Sequence, residues 1–301
     1  MEYTLTKSVG SEETMAFFPG VTVGGVTVGD QEVKFYDSGH KHISQSERTV
    51  VLCHGTGGSA EGNFWALFPM LAMRHRVVAF EFVDPTQELG PDEMAEHYVS
   101  QVSAVIRTVS PETPVELVGY SFGAVIAAKT AAENPTAVHN LVLIAGWLVT
   151  DTQQRLRNDV WFALHDSGHR ALADFTVFTQ YSQQFVNSRL PHELENERQK
   201  VLTGGPDRAA KMRFNRSVDI SDAAESITAP TLIIGCTQDQ VAPIRHSYLL
   251  FGAISDARLV EVDSGHGVLT ERPSEVFILI DDFVREPHAV AAGGVLENDH
   301  A

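Results

Sequence analysis

Cysteine is scarce in this sequence, and the few cysteines present lie in apolar surroundings. Cys53 and Cys236 are the only two, and each ends an apolar run that predicts a buried strand. Two separated thiols of this kind do not form the disulfide framework that small secreted proteins use. We therefore expect both cysteines to be buried and reduced, as in a protein of a reducing compartment.

Long apolar runs and a surplus of basic residues are also missing. No apolar run approaches the ~18 residues of a membrane span, and residues 1–20 hold no long apolar region behind a basic start. We therefore expect a soluble, cytoplasmic protein without a signal peptide. The 39 acidic residues exceed the 22 basic ones and give a net charge of −17. The electric field of this negative charge repels nucleic acids and anionic membranes, so neither is expected as a partner. It also mildly disfavours polyanionic substrates.

What the sequence does contain is an alternation of short apolar strands with helices. Apolar, mostly β-branched runs predict strands at 49–55, 76–83, 115–120, 140–147, 230–236 and 257–263. The residues between and after them predict helices at 61–73, 91–109, 122–134 and 273–284. This order indicates an α/β protein with a mostly parallel sheet that helices cover on both faces.

The alternation has irregular parts at both ends and in the middle. VTVGGVTVG at 21–29 predicts two short strands joined by a tight turn, and 31–39 alternates like a half-exposed strand. No strand is predicted between Leu148 and Val218, where helical segments carry many aromatic residues. We interpret this part as an inserted, all-helical lid. The predicted division is a core at 1–148 and 219–286, a lid at 149–218 and a disordered tail at 287–301.

The segment Gly119-Tyr-Ser-Phe-Gly123 joins a predicted strand directly to a predicted helix. In a G-x-S-x-G turn the serine is pushed out above the sheet edge, and the two glycines let strand and helix approach closely. The N–H of Phe122, at the helix start, then points to where charge develops on an attacked carbonyl. The pattern therefore predicts that Ser121 is a nucleophile.

A nucleophilic serine needs a base, and the base needs an acid that orients it. His266 lies between two glycines after the predicted strand at 257–263, and Asp239 follows the strand at 230–236. Each partner thus follows a successive strand, in the order serine, aspartate, histidine. Asp263, three residues before His266, is the alternative acid.

The glycine-rich segment after the strand at 49–55 has two interpretations. Gly55 to Ala60 matches the G-x-G-x-x-A pattern of dinucleotide-binding proteins, with Glu81 or Asp84 near the expected ribose-binding position. However, two predicted strands precede it, and that interpretation leaves the serine, aspartate and histidine unexplained. We therefore favour a loop that binds an oxyanion and predict no bound cofactor. HDSGH at 165–169 offers two histidines to a metal, but no third ligand is spaced with them, so no metal is predicted.

These motifs together resemble the α/β-hydrolase fold family, from about Val21 to Val284. HGTGG, GYSFG, the run ITAPTLIIGCTQDQVAP and SGHG carry the resemblance, whereas VDPTQELG at 83–90 departs from the Asp and Arg-Gly-x-Gly that often stand there. The resemblance implies Ser121 as nucleophile, His266 as general base and then acid, and Asp239 as the group that holds the imidazole. It also implies an oxyanion hole made by the N–H groups of Thr56 and Phe122.

The predicted activity is that of a serine esterase, which cleaves an ester, lactone or thioester through an acyl-enzyme on Ser121. The aromatic lid predicts an apolar or aromatic acyl group on a small-molecule substrate. Carbon–carbon bond hydrolysis or cofactor-free peracid formation are alternatives on the same fold, as is a ligand-binding or sensing protein with slow turnover. The sequence does not indicate an oligomeric state. The predicted pocket residues are Gly57, Tyr120, Trp147, Trp161, Phe175, Phe178 and Val241.

Overall fold

A single mixed sheet runs through the protein. The computed structural model describes residues 17–39, 48–203 and 208–298, and within these ranges the sheet has nine strands. The strands are β1 (Thr22–Val28), β2 (Gln31–Asp37), β3 (Thr49–Cys53), β4 (Arg76–Phe80), β5 (Val115–Tyr120), β6 (Val138–Ile144), β7 (Thr231–Cys236), β8 (Ala257–Val262) and β9 (Val295–Leu296). Their spatial order is β1-β2-β4-β3-β5-β6-β7-β8-β9.

Strand direction confirms the predicted, mostly parallel α/β fold. β1 and β2 form an antiparallel pair, and β2 runs antiparallel to β4. Every other neighbouring pair in the sheet is parallel. The carboxyl ends of the parallel strands therefore meet at one edge, where open α/β sheets bind their ligands.

Helices connect the strands. They are α1 (Ala60–Phe64), α2 (Leu67–Ala72), α3 (Pro91–Val109), α4 (Phe122–Glu133), α5 (Thr152–Asp166), α6 (Ala171–Gln180), α7 (Gln183–Ser188), α8 (Pro191–Thr203), α9 (Ala209–Asn215), α10 (Ser221–Ser226), α11 (Arg245–Ala253), α12 (Val268–Glu271) and α13 (Pro273–Arg285). α3 and α13 begin at a proline, whose fixed φ suits the first helical position.

Two hydrophobic cores, one on each face of the sheet, hold these helices. Successive side chains of a strand point to opposite faces. In β3, accordingly, Val51 and Cys53 belong to the core under α3, α4 and α11, whereas Val50 and Leu52 belong to the core under α1, α2 and α13. Because both faces are covered, β3 is buried at every position, which explains why its sequence is apolar after Thr49. Cys53 and Cys236 are buried and free, as predicted.

Helices α5 to α9 occupy the part of the chain in which no strand was predicted. The chain leaves the sheet after β6 and returns before α10, and an isolated antiparallel bridge joins Val149 to Asp219 where it does so. The carbonyl of Val218 also accepts a hydrogen bond from the N–H of Thr150 at 2.8 Å. The ends of the helical insert therefore lie side by side. That the insert is a separate lid stays a prediction.

Two predictions about the chain ends are wrong. Residues 21–29 contain one strand, β1 (Thr22–Val28), rather than two, and the turn lies at Gly29, which has a positive φ of 63°. The internal Gly24 instead leaves room for the ring of Phe35 on β2, which a Cβ would overlap. The tail was predicted to be disordered from residue 287, but Val295–Leu296 pairs with β8. Residues 299–301 lie outside the described ranges.

Candidate active site

Ser121 sits in a strained turn between β5 and α4. Its φ of 57° and ψ of −121° lie in a region that non-glycine residues rarely adopt. The flanking glycines permit this turn, because a Cβ at Gly119 would overlap the carbonyl oxygen of Gly123, and a Cβ at Gly123 would overlap that of Cys53. The turn thus presents the serine hydroxyl at the carboxyl edge of the sheet.

The structure brings the three predicted catalytic residues together in a chain of hydrogen bonds. The Nε2 atom of His266 lies 2.8 Å from Ser121 Oγ, and its Nδ1 lies 2.6 Å from Asp239 Oδ2. The other carboxylate oxygen of Asp239 accepts the N–H groups of Val241 at 2.7 Å and Ala242 at 2.8 Å. All three side chains are buried. Since the carboxylate accepts at Nδ1, the imidazole leaves Nε2 free to receive the serine proton.

Asp263, the alternative acid, makes different contacts. Its Oδ1 accepts hydrogen bonds from the Thr237 hydroxyl at 3.0 Å and from the Gln238 side-chain amide at 2.7 Å, and it lies on the surface. These two hydrogen bonds lower the pKa of Asp263 below its usual value. The carboxylate beside His266 is that of Asp239 and not Asp263.

The glycine-rich loop after β3 lies against Ser121. A Cβ at Gly55 would lie 3.3 Å from the Ser121 Cβ, so the loop backbone passes directly beside the serine. Thr56 lines the same cavity as Ser121. In the described part of the chain, no acceptor takes the N–H of Thr56 or of Phe122. Two uncommitted donors next to a serine hydroxyl are the arrangement that an oxyanion hole requires.

His54 holds this loop in place as a neutral imidazole. Its Nδ1 lies 2.8 Å from the Gly55 carbonyl oxygen, which can only accept, so Nδ1 carries the proton. Its Nε2 then accepts the N–H of Phe82 at 3.0 Å. The ring is buried, and this burial lowers the pKa of His54 from 6.5 to about 4. The nearby charge of Lys211 lowers that pKa as well, while Asp84 and the Gly55 carbonyl raise it.

We expect His54 to make the protein less stable in mild acid. Its pKa is lower in the folded chain than in the unfolded one, so the unfolded chain binds the proton first, and stability falls as pH drops from about 6.5 to about 4. We expect the free energy of unfolding, measured by urea denaturation, to fall between pH 7.5 and pH 5 by about 2 kcal/mol more in wild type than in His54→Gln. His169→Gln, a substitution of an exposed histidine, should keep the wild-type dependence of unfolding free energy on pH. The same dependence in wild type and in His54→Gln would contradict the prediction.

The loop that carries His266 is tied to the helical insert. The Glu271 carboxylate accepts the Gly265 N–H at 3.1 Å, the Ser182 N–H at 2.9 Å and the Ser182 hydroxyl at 2.5 Å. The N–H of Gly267 donates to the Gln180 carbonyl at 2.7 Å. A displacement of the insert near Ser182 would therefore pull on the loop that carries His266. Glu271 was not predicted as a site residue, because nothing local in the sequence indicates a partner 89 residues away.

The other end of the insert is fastened beneath the glycine-rich loop. The buried ammonium group of Lys211, on α9, pairs with Asp84, whose carboxylate also accepts the Tyr98 hydroxyl at 2.8 Å. From the same helix, the Asn215 side-chain amide donates to Thr56 Oγ1 at 2.8 Å. No local sequence pattern predicts these contacts either. Together they place α9 directly against the loop that holds the candidate oxyanion donor.

A cavity of about 480 Å³ opens above Ser121, between the sheet edge and the insert. The predicted pocket residues that line it are Gly57, Tyr120, Trp147, Trp161 and Val241. The Tyr120 hydroxyl also donates to the His266 carbonyl oxygen at 2.8 Å, so Tyr120 supports the loop that carries His266 as well. Polar side chains that the sequence analysis did not assign to the pocket also line it, among them Asn63, Gln154, Arg157, Asn158 and Arg208.

Two of the predicted pocket residues lie elsewhere. Phe178 is 65% exposed, and Phe175 lies outside the cavity lining. Helix α6 turns Ala173, Thr176 and Val177 inwards, at the spacing of three to four residues that shares one helix face. Phe178 follows Val177 by one residue, about 100° around the helix, and therefore points to solvent. The prediction of these two aromatic residues as pocket residues is wrong.

Two further features bear on function. Throughout the described ranges, none of the helices has the length and apolarity needed to cross a membrane. In the same ranges, histidine, cysteine, aspartate and glutamate side chains nowhere gather into a group of three or more that could hold a metal ion.

Known proteins resemble this chain along most of its length. A family profile described as alpha/beta hydrolase fold matches residues 48–273. Pyrrolizixenacetamide deacetylase of Xenorhabdus hominickii is 29% identical over 271 residues, which cover 86% of this chain and 97% of the relative. RutD of Klebsiella pneumoniae strain 342, a candidate carbamate hydrolase, is 28% identical over 231 residues, covering 72% of this chain and 83% of its own.

Solved structures show the same fold at lower sequence identity. The enol-lactonase of Burkholderia xenovorans LB400 superposes with a TM-score of 0.72 at 20% identity, over 87% of this chain and all of that one (100%). A thermophilic esterase of Thermogutta terrifontis gives a TM-score of 0.71 at 19% identity, over 89% of this chain and 99% of that one. With the family match over most of its length, the chain is a hydrolase that belongs to the α/β-hydrolase fold family.

Proposed function

We propose that the protein is a serine hydrolase that cleaves a carboxylic ester or lactone through an acyl-enzyme on Ser121. The observation that carries the proposal is the unbroken hydrogen-bond chain from Asp239 through His266 to Ser121. It ends at a serine in a strained turn, beside two uncommitted backbone donors. The nucleophile, its base, the orienting acid and the oxyanion donors are thus the four parts that acyl transfer needs.

The reaction would take place in two steps. His266 Nε2 accepts the Ser121 proton as Oγ attacks the substrate carbonyl, and the N–H groups of Thr56 and Phe122 receive the developing oxyanion. Asp239 stabilises the imidazolium that forms. His266 then gives the proton to the leaving group, and water attacks the acyl-enzyme by the same route in reverse. None of these steps calls for a metal or a cofactor.

The walls of the cavity favour a small acyl group. Trp147, Trp161 and Val177 provide an apolar wall, and the volume of about 480 Å³ suits a compact substrate rather than a long-chain lipid. An amide is a second candidate for the bond that breaks. The similarity to a deacetylase along 97% of that protein's length favours an amide, since the name of that relative gives an acetamide as its substrate.

Kinetics with activated esters test the proposal. We expect 4-nitrophenyl esters with acyl chains of graded length to be hydrolysed with a burst of one nitrophenol per protein, because an activated ester acylates the serine faster than water removes the acyl group, and the acyl-enzyme accumulates. A fluorophosphonate probe should label the peptide that contains Ser121 and stop turnover, and 4-nitroacetanilide tests the amide alternative. Turnover without labelling of Ser121, or labelling of another residue without loss of activity, would contradict the acyl-enzyme. A folded protein that neither hydrolyses these substrates nor reacts with the probe would also contradict the proposed function.

A further inference from the structure

Two arginines of the helical insert reach into the cavity that contains Ser121. Arg157 comes from α5, and Arg208 immediately precedes α9. Both line the cavity, together with Ser121 and His266. The catalytic steps proposed above do not use either of them, so their presence in the cavity requires a separate explanation.

Arg208 lies flat against the glycine-rich loop. A Cβ at Gly57 would lie 2.5 Å from the guanidinium carbon of Arg208, well inside contact distance. Gly57 thus makes room for the guanidinium. Gly57 directly follows Thr56, whose N–H is the candidate oxyanion donor. Within the described ranges, the Arg208 side chain has no hydrogen-bonding or ion-pair partner.

Arg157 is held in place but is not neutralised. One of its terminal nitrogens donates to Thr179 Oγ1 at 3.2 Å, and its guanidinium carbon lies 5.7 Å from the centre of the Phe175 ring. Its Nε is buried and finds no acceptor among the described residues. No carboxylate in those same residues forms an ion pair with Arg157; the attraction of Asp239 acts from beyond ion-pair distance.

The absence of a carboxylate partner for this pair is notable in a chain with a net charge of −17. Burial lowers the pKa of Arg157 to about 10, and the charge of Arg208 contributes to that shift. Burial also lowers the pKa of Arg208. Among the described residues, Glu197 is the one carboxylate that lines the cavity, and it is already engaged by the Tyr181 hydroxyl at 2.8 Å and by Lys200 at 2.7 Å. Two cations that are partly desolvated and near each other cost free energy unless an anion joins them.

We propose that Arg157 and Arg208 bind a carboxylate on the substrate, so that the protein selects small esters, lactones or amides that carry one negative charge. This proposal rests on the proposed function of Ser121. A planar guanidinium pairs well with a carboxylate, to which it can donate two parallel hydrogen bonds. The acidic surface disfavours polyanions, which leaves a monoanion as the preferred class. The tryptophans of the cavity then contact the apolar part of the substrate between the scissile carbonyl and the carboxylate.

Two matched esters test the selectivity. The probes are 4-nitrophenyl hydrogen glutarate, which carries a carboxylate, and 4-nitrophenyl methyl glutarate, in which that carboxylate is a neutral methyl ester. Wild type should have the higher kcat/KM for the charged ester. In Arg157→Gln and in Arg208→Gln the ratio of the two kcat/KM values should fall about tenfold to a hundredfold, as expected for a lost charge-assisted hydrogen bond. In Arg208→Lys, which keeps the positive charge but not the two parallel N–H donors of the guanidinium, the ratio should fall less.

The matched control is Arg155→Gln, which removes the same charge from the exposed side of α5, outside the cavity. It should keep the wild-type ratio. A wild type that prefers the methyl ester, or arginine variants that lose activity equally on both esters, would overturn the proposal. Equal losses would assign the arginines to support of the oxyanion loop.

A binding measurement separates this proposal from that of Ser121 catalysis. If wild type cleaves neither ester, the proposed function fails, and calorimetry with Ser121→Ala then decides about the carboxylate. Binding of monomethyl glutarate that is lost in Ser121→Ala/Arg157→Gln/Arg208→Gln supports a carboxylate site even without ester hydrolysis. Absence of binding to Ser121→Ala, or binding that survives loss of both arginines, overturns it.

Discussion

Ser121→Ala is expected to lower kcat for activated esters by about 10⁶-fold, the loss measured when the triad serine of subtilisin is removed. The substitution removes the Oγ atom that His266 Nε2 faces at 2.8 Å, so the acyl-enzyme cannot form. The remaining rate comes from the oxyanion donors and from substrate binding alone. Initial-rate assays with purified variant and wild type measure the effect, and the variant should show no burst.

Ser167→Ala is the matched control for this experiment. Ser167 lies exposed at the end of α5, where its hydroxyl donates to the Ala163 carbonyl at 2.8 Å. Its substitution should leave kcat unchanged within experimental error. If Ser121→Ala kept more than about a hundredth of wild-type kcat with its fold intact, the serine would not be the nucleophile.

Asp239→Asn is expected to lower kcat by about 10⁴-fold, as the corresponding change does in a serine protease. The reason follows from the hydrogen bonds around the carboxylate. Val241 and Ala242 both donate their N–H groups to Oδ1, which fixes the asparagine oxygen there and turns the amide nitrogen towards His266 Nδ1. Two donors would then face each other, so the imidazole must move its proton to Nε2. A protonated Nε2 cannot accept the serine proton.

Asp263→Asn provides the comparison within the same chain. Asp263 contacts Thr237 and Gln238 on the surface, and its substitution should change kcat by less than about threefold, as surface substitutions generally have small effects. Steady-state kinetics of both variants from pH 6 to pH 9 provide the measurement. A larger loss in Asp263→Asn than in Asp239→Asn would reverse the assignment of the acid.

Local sequence signals predict that Ser121, Asp239 and His266 come together, for a topological reason. The turn at Ser121 is encoded in five consecutive residues, and His266 and Asp239 each follow a β-branched strand. Because β5, β7 and β8 run in the same direction, the loops after them meet at one edge of the sheet. The order of the strands along the chain was therefore enough to bring together side chains that are far apart in sequence.

The insert was harder to predict, because its helices have no sheet to set their orientation. An aromatic residue such as Phe178 satisfies the composition of a pocket, but the rotation of α6 decides whether it points inwards, and that rotation depends on packing. The pairing of Lys211 with Asp84 joins residues 127 positions apart and leaves no local pattern. Arg157 looks in sequence like any polar residue on an exposed helix face. Composition consequently predicted an apolar pocket where the structure has a partly cationic one.

The bridge between Val149 and Asp219 has a consequence for how such proteins diversify. It brings the two ends of the insert side by side, so the whole insert is a single closed loop between two neighbouring positions at the edge of the sheet. The entropy cost of closing a loop grows only slowly with its length. Helices can therefore be inserted, deleted or exchanged between these two positions while β6 and β7 stay paired. Ser121, Asp239 and His266 lie outside this segment and both cavity arginines lie inside it, so an exchange of helices that keeps the contacts to Thr56, Asp84 and Glu271 changes the lining of the cavity and leaves these three residues in place.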